Sequence, residues 1–300
     1  MKIKFLGSFC SDSQCLTNYM NVYGMKNRLY KNIEFVDDNS FTHIVIIGDI
    51  NEKIINFLDK YNVNKNNIIG FSFEPYEFSN TLKTNKIAEY RISKAENFNM
   101  ANYKNDYTFQ WHHCKKDLIN NTYVKPLKMS LILSPKKYFS GHKYRHLLVD
   151  KILSTNLDIH IYGGGSREHG SDPRIKGTFD SLEPYNNYMY HIAIENTPDT
   201  EYYISEKFTN CIVANSIPIY YGADKVNNIF GNNCCYKLCG DLNKDLELIK
   251  NIYNNCEKYK LNLEKAQYEL FNGNAFLPNF LYNFFTKNDN YGLNNMNLEK

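Results

Sequence analysis

Residues 191–223 read HIAIENTPDTEYYISEKFTNCIVANSIPIYYGA, and their punctuation decides the fold. Ile192, Ala193 and Ile194 make an apolar run short enough for a buried strand, with Glu195 and Asn196 at its carboxyl end. Thr197 to Thr200 are turn and cap formers, Pro198 among them. Ile204, Phe208, Cys211, Ile212 and Val213 then recur at helical spacing, which predicts a helix beginning near Tyr202 or Tyr203. Ile217 to Tyr220 is a second buried run, and Gly222 stops it. Strand, polar loop, helix and strand in this order form the unit of a parallel α/β sheet. The first turn of such a helix aims unpaired N–H groups and the positive end of its dipole at the crevice beyond the strand ends. Glu206 and Lys207 fall in that turn. A cation there neutralises a phosphate, and a carboxylate accepts hydrogen bonds from sugar hydroxyls. Taken alone, the pair also fits the surface of an ordinary amphipathic helix.

The spelling is more specific than the pattern. E-N-x-x-x-x-x-Y-Y-I-S-E-K-F over 195–208, followed by I-P-I-Y-Y-G over 217–222, resembles the signature of glycosyltransferase family 10, the α-1,3/1,4-fucosyltransferases, in the manner of the soluble bacterial members. The family pattern is roughly F-E-N-S, then Y-[IV]-T-E-K, then [VI]-P-[VI]-Y-x-G. This chain has one extra residue between Asn196 and the Tyr203 to Lys207 block, and Ser205 stands where Thr is usual, keeping the hydroxyl. The resemblance covers about residues 65 to 230 and is dense only in 186 to 223. It implies a GT-B architecture, two Rossmann-like domains facing a central cleft, with the acceptor on the amino-terminal half and GDP-fucose on the other.

The rest of the chain agrees with an α/β protein of that kind. Three hundred residues with 43% apolar content favour two domains, and a net charge of +3 implies neither a nucleic-acid nor a membrane partner. The amino terminus has too short an apolar run for a signal peptide and no stretch reaches the length of a membrane span, so the expected location is cytoplasmic. Eight cysteines without regular spacing read as free thiols. Cys234, Cys235 and Cys239 lie in a strand-like segment with no neighbouring His, and no metal site is assigned to them.

Lys2 to Leu6, Phe41 to Ile50 and Asn67 to Phe73 read as strands, with a helix through Ile54, Ile55, Leu58 and Tyr61. Lys125-Pro126 is the expected linker. Leu127 to Leu133 and Asp158 to Tyr162 read as strands around a helix from His142 to Leu153, and a further helix is expected around Leu182 to Tyr190. Residues 1–126 therefore form the expected acceptor-side domain, 127–285 the nucleotide-sugar domain, and 286–300 an Asn-rich tail.

Glu74 and Glu77 follow the third strand, with Pro75 between them. A carboxylate there faces a crevice or is a solvated loop acid. Family 10 enzymes carry an E-S-P element whose Glu is taken as the base; Glu74-Pro75 resembles it without the Ser, so Glu74 is the candidate and Glu77 the reserve. Trp111 and His112 lie in an aromatic segment that could line an acceptor-sugar site or form a core strand. Arg145, in G-H-K-Y-R at the start of a helix, matches the family's pyrophosphate-contacting Arg. Gly163 and Gly165 follow a strand and read as a turn that lets backbone approach a ligand, and Lys176 comes shortly after.

The resemblance implies an inverting transfer of fucose from GDP-fucose to an acceptor oligosaccharide or glycoconjugate, as in protein glycosylation. Arg145 and Lys207 hold the pyrophosphate, Glu206 the ribose, and Glu195, Asn196 and Tyr203 the phosphate or sugar. No Asp-x-Asp pair occurs in the chain. No cofactor or metal is therefore expected to be required, a divalent ion being at most stimulatory. Two other readings stay open: a transferase of the same fold using another nucleotide sugar, and a catalytically silent binding relative.

Overall fold

The computed structural model describes residues 1–71 and 125–286, apart from residues 9, 49, 65, 66, 181, 201, 202 and 274. The chain divides into two units, Met1–Phe109 with Glu269–Lys300, and Gln110–Tyr268. Each is built on a mostly parallel sheet.

In the first unit the elements are β1 (Lys2–Gly7), α1 (Asp12–Val22), β2 (Leu29–Tyr30), β3 (Ile33–Val36), β4 (His43–Ile47), α2 (Glu52–Tyr61) and β5 (Ile68–Phe71). Their sheet order is β2-β3-β1-β4-β5, parallel except for the β2–β3 pair. Ile44 to Ile47 of β4 are fully buried, as a central parallel strand requires. Asn51 caps α2 by accepting the Ile54 amide at 3.1 Å, and the helix lays Ile54 and Leu58 against Leu6, Ile44, Ile46 and Ile68. Helix α1 packs on β1 through Tyr19, whose ring stacks on Phe5 at 5.1 Å.

The second unit runs β6 (Leu127–Ile132), α3 (Ser140–Leu153), β7 (Ile159–Tyr162), a 3-10 turn (Gly164–His169), β8 (Ile175–Gly177), α4 (Glu183–Asn186), β9 (Tyr188–Ile194), α5 (Glu206–Val213), β10 (Ile217–Tyr221), α6 (Val226–Phe230), β11 (Tyr236–Lys237), α7 (Leu242–Asn254) and α8 (Glu264–Phe271). The order is β11-β10-β9-β6-β7-β8, every pairing parallel. Counted from β6 as strand one, this is the six-strand Rossmann order. It reverses between β6 and β9, and in such open sheets ligands bind beyond the carboxyl ends of the strands at this switch point.

Two expectations about helices are corrected. Only Glu183–Asn186 of the expected 182–190 helix is helical. Tyr188 and Tyr190 already belong to β9, buried in register with Leu127 and Met129 of β6. The helix expected from Tyr202 or Tyr203 begins at Glu206, because Ser205 caps it by accepting the Lys207 amide. The end of the chain, placed in the second domain as far as 285, groups with the first unit from Glu269 on. There α9 (Leu277–Thr286) and the residue before it present an aromatic face. The Phe276 ring meets Tyr23 and Tyr30 edge-on at 5.2 and 5.4 Å, and Asn279 Oδ1 accepts from Lys31 Nζ at 2.8 Å. Lys125, read as linker, is an anchor whose Nζ donates to the carbonyls of Tyr185, Asn186 and Ala214. Among the described residues no helix is long and apolar enough to cross a membrane.

Candidate functional site

Strands β6 and β9 both deliver their chains to the β6/β9 switch point, and each is followed by a helix whose amino terminus returns there. After β9, Glu195 turns inward and is fully buried. Its Oε1 accepts the Ser205 amide at 2.8 Å and the Tyr220 hydroxyl at 3.2 Å, and its Oε2 accepts the Ser205 hydroxyl at 2.6 Å. Burial pushes the Glu195 pKa up, while Lys207, at 4.0 Å, and the Ser205 hydrogen bonds oppose it. With both oxygens engaged inside the chain, Glu195 ties the loop to the start of α5. Gly222 makes room for this packing: a Cβ there would lie 2.3 Å from the Tyr220 hydroxyl and 2.6 Å from Glu195 Cγ.

Asn196 is gripped by α3 in two ways. Its carbonyl accepts the Gly141 amide at 3.0 Å. Its Oδ1 accepts from Arg145 Nη2 at 2.7 Å. Gly141 is obligatory, since a Cβ would lie 1.9 Å from the Glu195 carbonyl oxygen. Arg145 is only 3% exposed; burial pushes its pKa down, and Glu195, Glu206 and Tyr203 pull it back up. His142 Nδ1 accepts the Phe139 amide at 3.3 Å, standing in for the side-chain cap that Phe139 lacks. Burial, then Arg145, Lys207 and Lys136, hold the His142 pKa down to about 4, so the ring is neutral at neutral pH.

Lys207 Nζ donates to Glu206 Oε1 at 2.9 Å and to the Ser205 hydroxyl at 3.2 Å, with its side chain 20% exposed. Arg145 and Lys207 are thus matched in charge by Glu195 and Glu206. The surplus positive potential of the site comes from the starts of α3 and α5 and from Lys136, which is exposed on the loop between β6 and α3. A phosphate group suits such a place.

The structure brings Arg145, Glu195, Asn196, Tyr203, Glu206 and Lys207 together, as the sequence expects. Tyr203 is buried, and its carbonyl accepts from the Tyr220 hydroxyl at 3.5 Å. Gly163 and Gly165 have a reason within the chain: Cβ atoms there would come within 2.4 Å of the Leu133 and Ser134 carbonyl oxygens. Lys176 lies on β8, separated from β9 by β6 and β7, with its Nζ donating to the Pro173 carbonyl at 3.0 Å. Glu74, Glu77, Trp111 and His112 lie outside the described residues. Sequence reasoning assigns no role to His142 or Tyr220. The signal for His142 is its place three residues after the helix-capping position, where a side chain can bond back to the cap. Tyr220 carries no such signal. Among the described residues no group of three or more His, Cys, Asp or Glu is placed to hold a metal ion.

Residues 127–260 match the profile of the glycosyltransferase family 10 (fucosyltransferase) C-terminal region, the family that segment 191–223 resembles. A fucosyltransferase-like protein of Arabidopsis thaliana is 31% identical over 86 residues, which are 29% of this chain; the chain spans 15% of that relative's length. Among solved structures, one of an α1,3-fucosyltransferase aligns with 97% of this chain and 91% of its own at 15% identity and a TM-score of 0.49. One of an α1,3-fucosyltransferase with GDP-fucose aligns over the same shares at 17% identity and a TM-score of 0.45.

Proposed function

We propose that this chain, with the family 10 match at residues 127–260 as its core, is an inverting glycosyltransferase that moves fucose from GDP-fucose to a hydroxyl of an acceptor glycan. The observation that carries the reading is the cluster of Arg145, Asn196 and Lys207 at the start of two helices, inside the segment the family profile matches. Departure of GDP leaves negative charge on its β-phosphate. Lys207, Arg145, the Asn196 amide and the two helix ends stabilise that charge without demanding a divalent ion. Glu206, with its side chain 34% exposed, takes the ribose hydroxyl in this reading.

The reaction needs a base on the other side of the sugar. We assign that role to Glu74, with Glu77 as reserve, in a GT-B arrangement. The acceptor oxygen attacks the anomeric carbon as the bond to the β-phosphate oxygen breaks. Glu74 takes the hydroxyl proton, and the bonding pair leaves with GDP, inverting the configuration. The acceptor in this reading is an oligosaccharide or a glycoconjugate.

Calorimetric binding of GDP, UDP and dTDP, followed by a transfer assay with GDP-fucose, tests the reading. GDP binds best and transfer is seen. Lys207→Ala loses both, whereas Glu74→Gln binds GDP normally and loses transfer by about a hundredfold or more, the scale of general base catalysis. A preference for UDP or dTDP redirects the assignment to another sugar, and GDP binding without transfer or donor hydrolysis leaves a silent binding protein. Most activity survives EDTA; complete loss restored by Mn²⁺ would overturn the metal-independent part.

A further inference from the structure

His146 follows Arg145 on α3 and is engaged through both ring nitrogens. Its Nε2 lies 3.1 Å from the Ser134 carbonyl oxygen, and its Nδ1 lies 3.0 Å from His169 Nε2. His169 Nδ1 in turn lies 2.7 Å from Asp150 Oδ1. A carbonyl and a carboxylate only accept, so each of these three contacts needs a proton carried by a ring nitrogen. Two neutral imidazoles carry two. The pair therefore holds a third proton and one positive charge. Burial pushes the His146 pKa down, which makes His146 the neutral acceptor and leaves the charge on His169, against Asp150. The ring centres are 5.2 Å apart and their planes 28° from parallel, so the rings lie nearly end to end along the N···N line. Two nitrogens 3.0 Å apart in line leave room for a proton, whereas a divalent ion sits about 2 Å from each nitrogen that holds it.

We propose that His146 and His169 are positioning residues: the proton they share pins the loop between β6 and α3, which leads into the proposed diphosphate cluster, to the turn after β7. The proposal rests on the fucosyltransferase reading and adds to it two side chains that do not touch substrate. Loop and turn are stitched at two further points, where the Gly165 amide donates to the Leu133 carbonyl at 3.0 Å and Lys137 Nζ donates to Glu168 Oε2 at 2.6 Å. The charged groups facing the pair are Lys137 on the loop, which opposes the proton, and Glu168 on the turn and Asp150 on α3, which favour it. When the proton leaves, two lone pairs face each other and the bond between the rings is lost. The protonated form is the one that holds the loop. The device is therefore complete at low pH and fails as the pH rises through the range where imidazoles titrate.

Nitrogen-15 NMR of the histidine rings in the full chain, with calorimetric GDP affinity at pH 6.0 and 8.5, decides it. The NMR finds three N–H groups on the pair at pH 6.0 and two at pH 8.5. The terminal phosphate of GDP also gains charge over this interval, so the reading is the ratio of wild-type to variant affinity at each pH. His169→Gln, whose amide donates to His146 Nδ1 without titrating, binds GDP as the wild type does at pH 6.0 and about threefold to tenfold more tightly than the wild type at pH 8.5. His169→Leu, which offers no donor, is weaker than the wild type by about the same factor at pH 6.0 and equal to it at pH 8.5. Asp150→Asn moves the wild-type fall to lower pH, a shift that loss of a merely structural contact would not cause. Two neutral rings at pH 6.0, a count made on the wild type and so independent of how any variant folds, overturn the proposal. So does a ratio of wild type to His169→Gln that stays constant across the interval. Absence of GDP binding in the wild type ends this proposal and the functional reading together. GDP binding that is lost in Lys207→Ala but shows that constant ratio ends only this one.

Discussion

Gly141 is where helix and loop of the candidate site meet main chain to main chain. Its amide donates to the Asn196 carbonyl, and the Glu195 carbonyl stands where a Cβ would be, 1.9 Å away. Backbone on both sides cannot rotate out of the way as a side chain could. Gly141→Ala therefore pushes α3 off the loop, at a cost of about 1–3 kcal/mol of stability. It also carries Arg145 away from Asn196, so GDP affinity drops with stability. Lys143→Ala, two residues on and exposed, changes urea stability by less than about 0.5 kcal/mol. Urea denaturation and calorimetry on the two variants check this, and a Gly141→Ala protein that binds GDP normally would refute the close-contact argument.

Helix α3 carries two of the site's gripping groups, Gly141 and Arg145, so what fixes the helix fixes the site. Its carboxyl end is held by one side chain from the segment before β8. The Arg174 guanidinium donates to the carbonyls of Ile152, Leu153, Thr155 and Leu157 at 2.8 to 3.2 Å, and Asp172 pairs with it at 2.8 Å. These are carbonyls at and just beyond the helix end, which have no partner in the helix, and the cation also suits the negative end of the dipole. Arg174→Ala is expected to cost about 2–4 kcal/mol, since it strips several buried carbonyls of a charged donor. Arg174→Lys regains less than half, because an ammonium lacks the planar fork that spans four acceptors. Chemical denaturation reads both, and equal stability of Lys and Arg at 174 would mean that charge alone suffices.

For the molecule as a whole, stability should fall with acidity for a traceable reason. His191, inside β9, donates to Ser130 Oγ, which itself donates to the Pro184 carbonyl; burial pushes the His191 pKa down to about 3. Burial likewise pushes His43 and His142 down to about 4. Unfolded histidines take up protons near pH 6.5 while these folded ones stay neutral. Their contribution is therefore complete above about pH 6.5 and is lost as the pH falls toward 4. One fully buried histidine loses about 2 kcal/mol by pH 5. Glu195, its pKa raised by burial, works in the opposite direction and removes part of the slope. Urea midpoints at pH 7.5 and 5.0 should drop in the wild type and drop less in His191→Gln; a flat profile would sink the argument.

How much of this was legible in the chain varies by region. The β9–α5–β10 unit could be read in advance because its signals are local: an apolar run, a polar turn, Ser205 before a helical spacing, and a glycine stop. Helix α1 could not, because it buries only Cys15, Leu16 and Tyr19 in an otherwise polar stretch and so shows no apolar stripe. The start of β9 was misread for the opposite reason, since Tyr188 and Tyr190 suit a helix or a strand until β6 lies beside them to take their backbone bonds.

By itself the sequence determined that this is an α/β chain with a segment resembling the family 10 signature and a Glu206-Lys207 pair at a helix start, all matters of neighbouring residues. Only the tertiary structure decided that β6 lies against β9, which brings Gly141 and Arg145 onto Asn196 some fifty residues away. It likewise returned the chain's last helix to the first unit. Strand order and long-range hydrogen bonds depend on which surfaces bury each other best, and no local stretch of sequence contains that comparison.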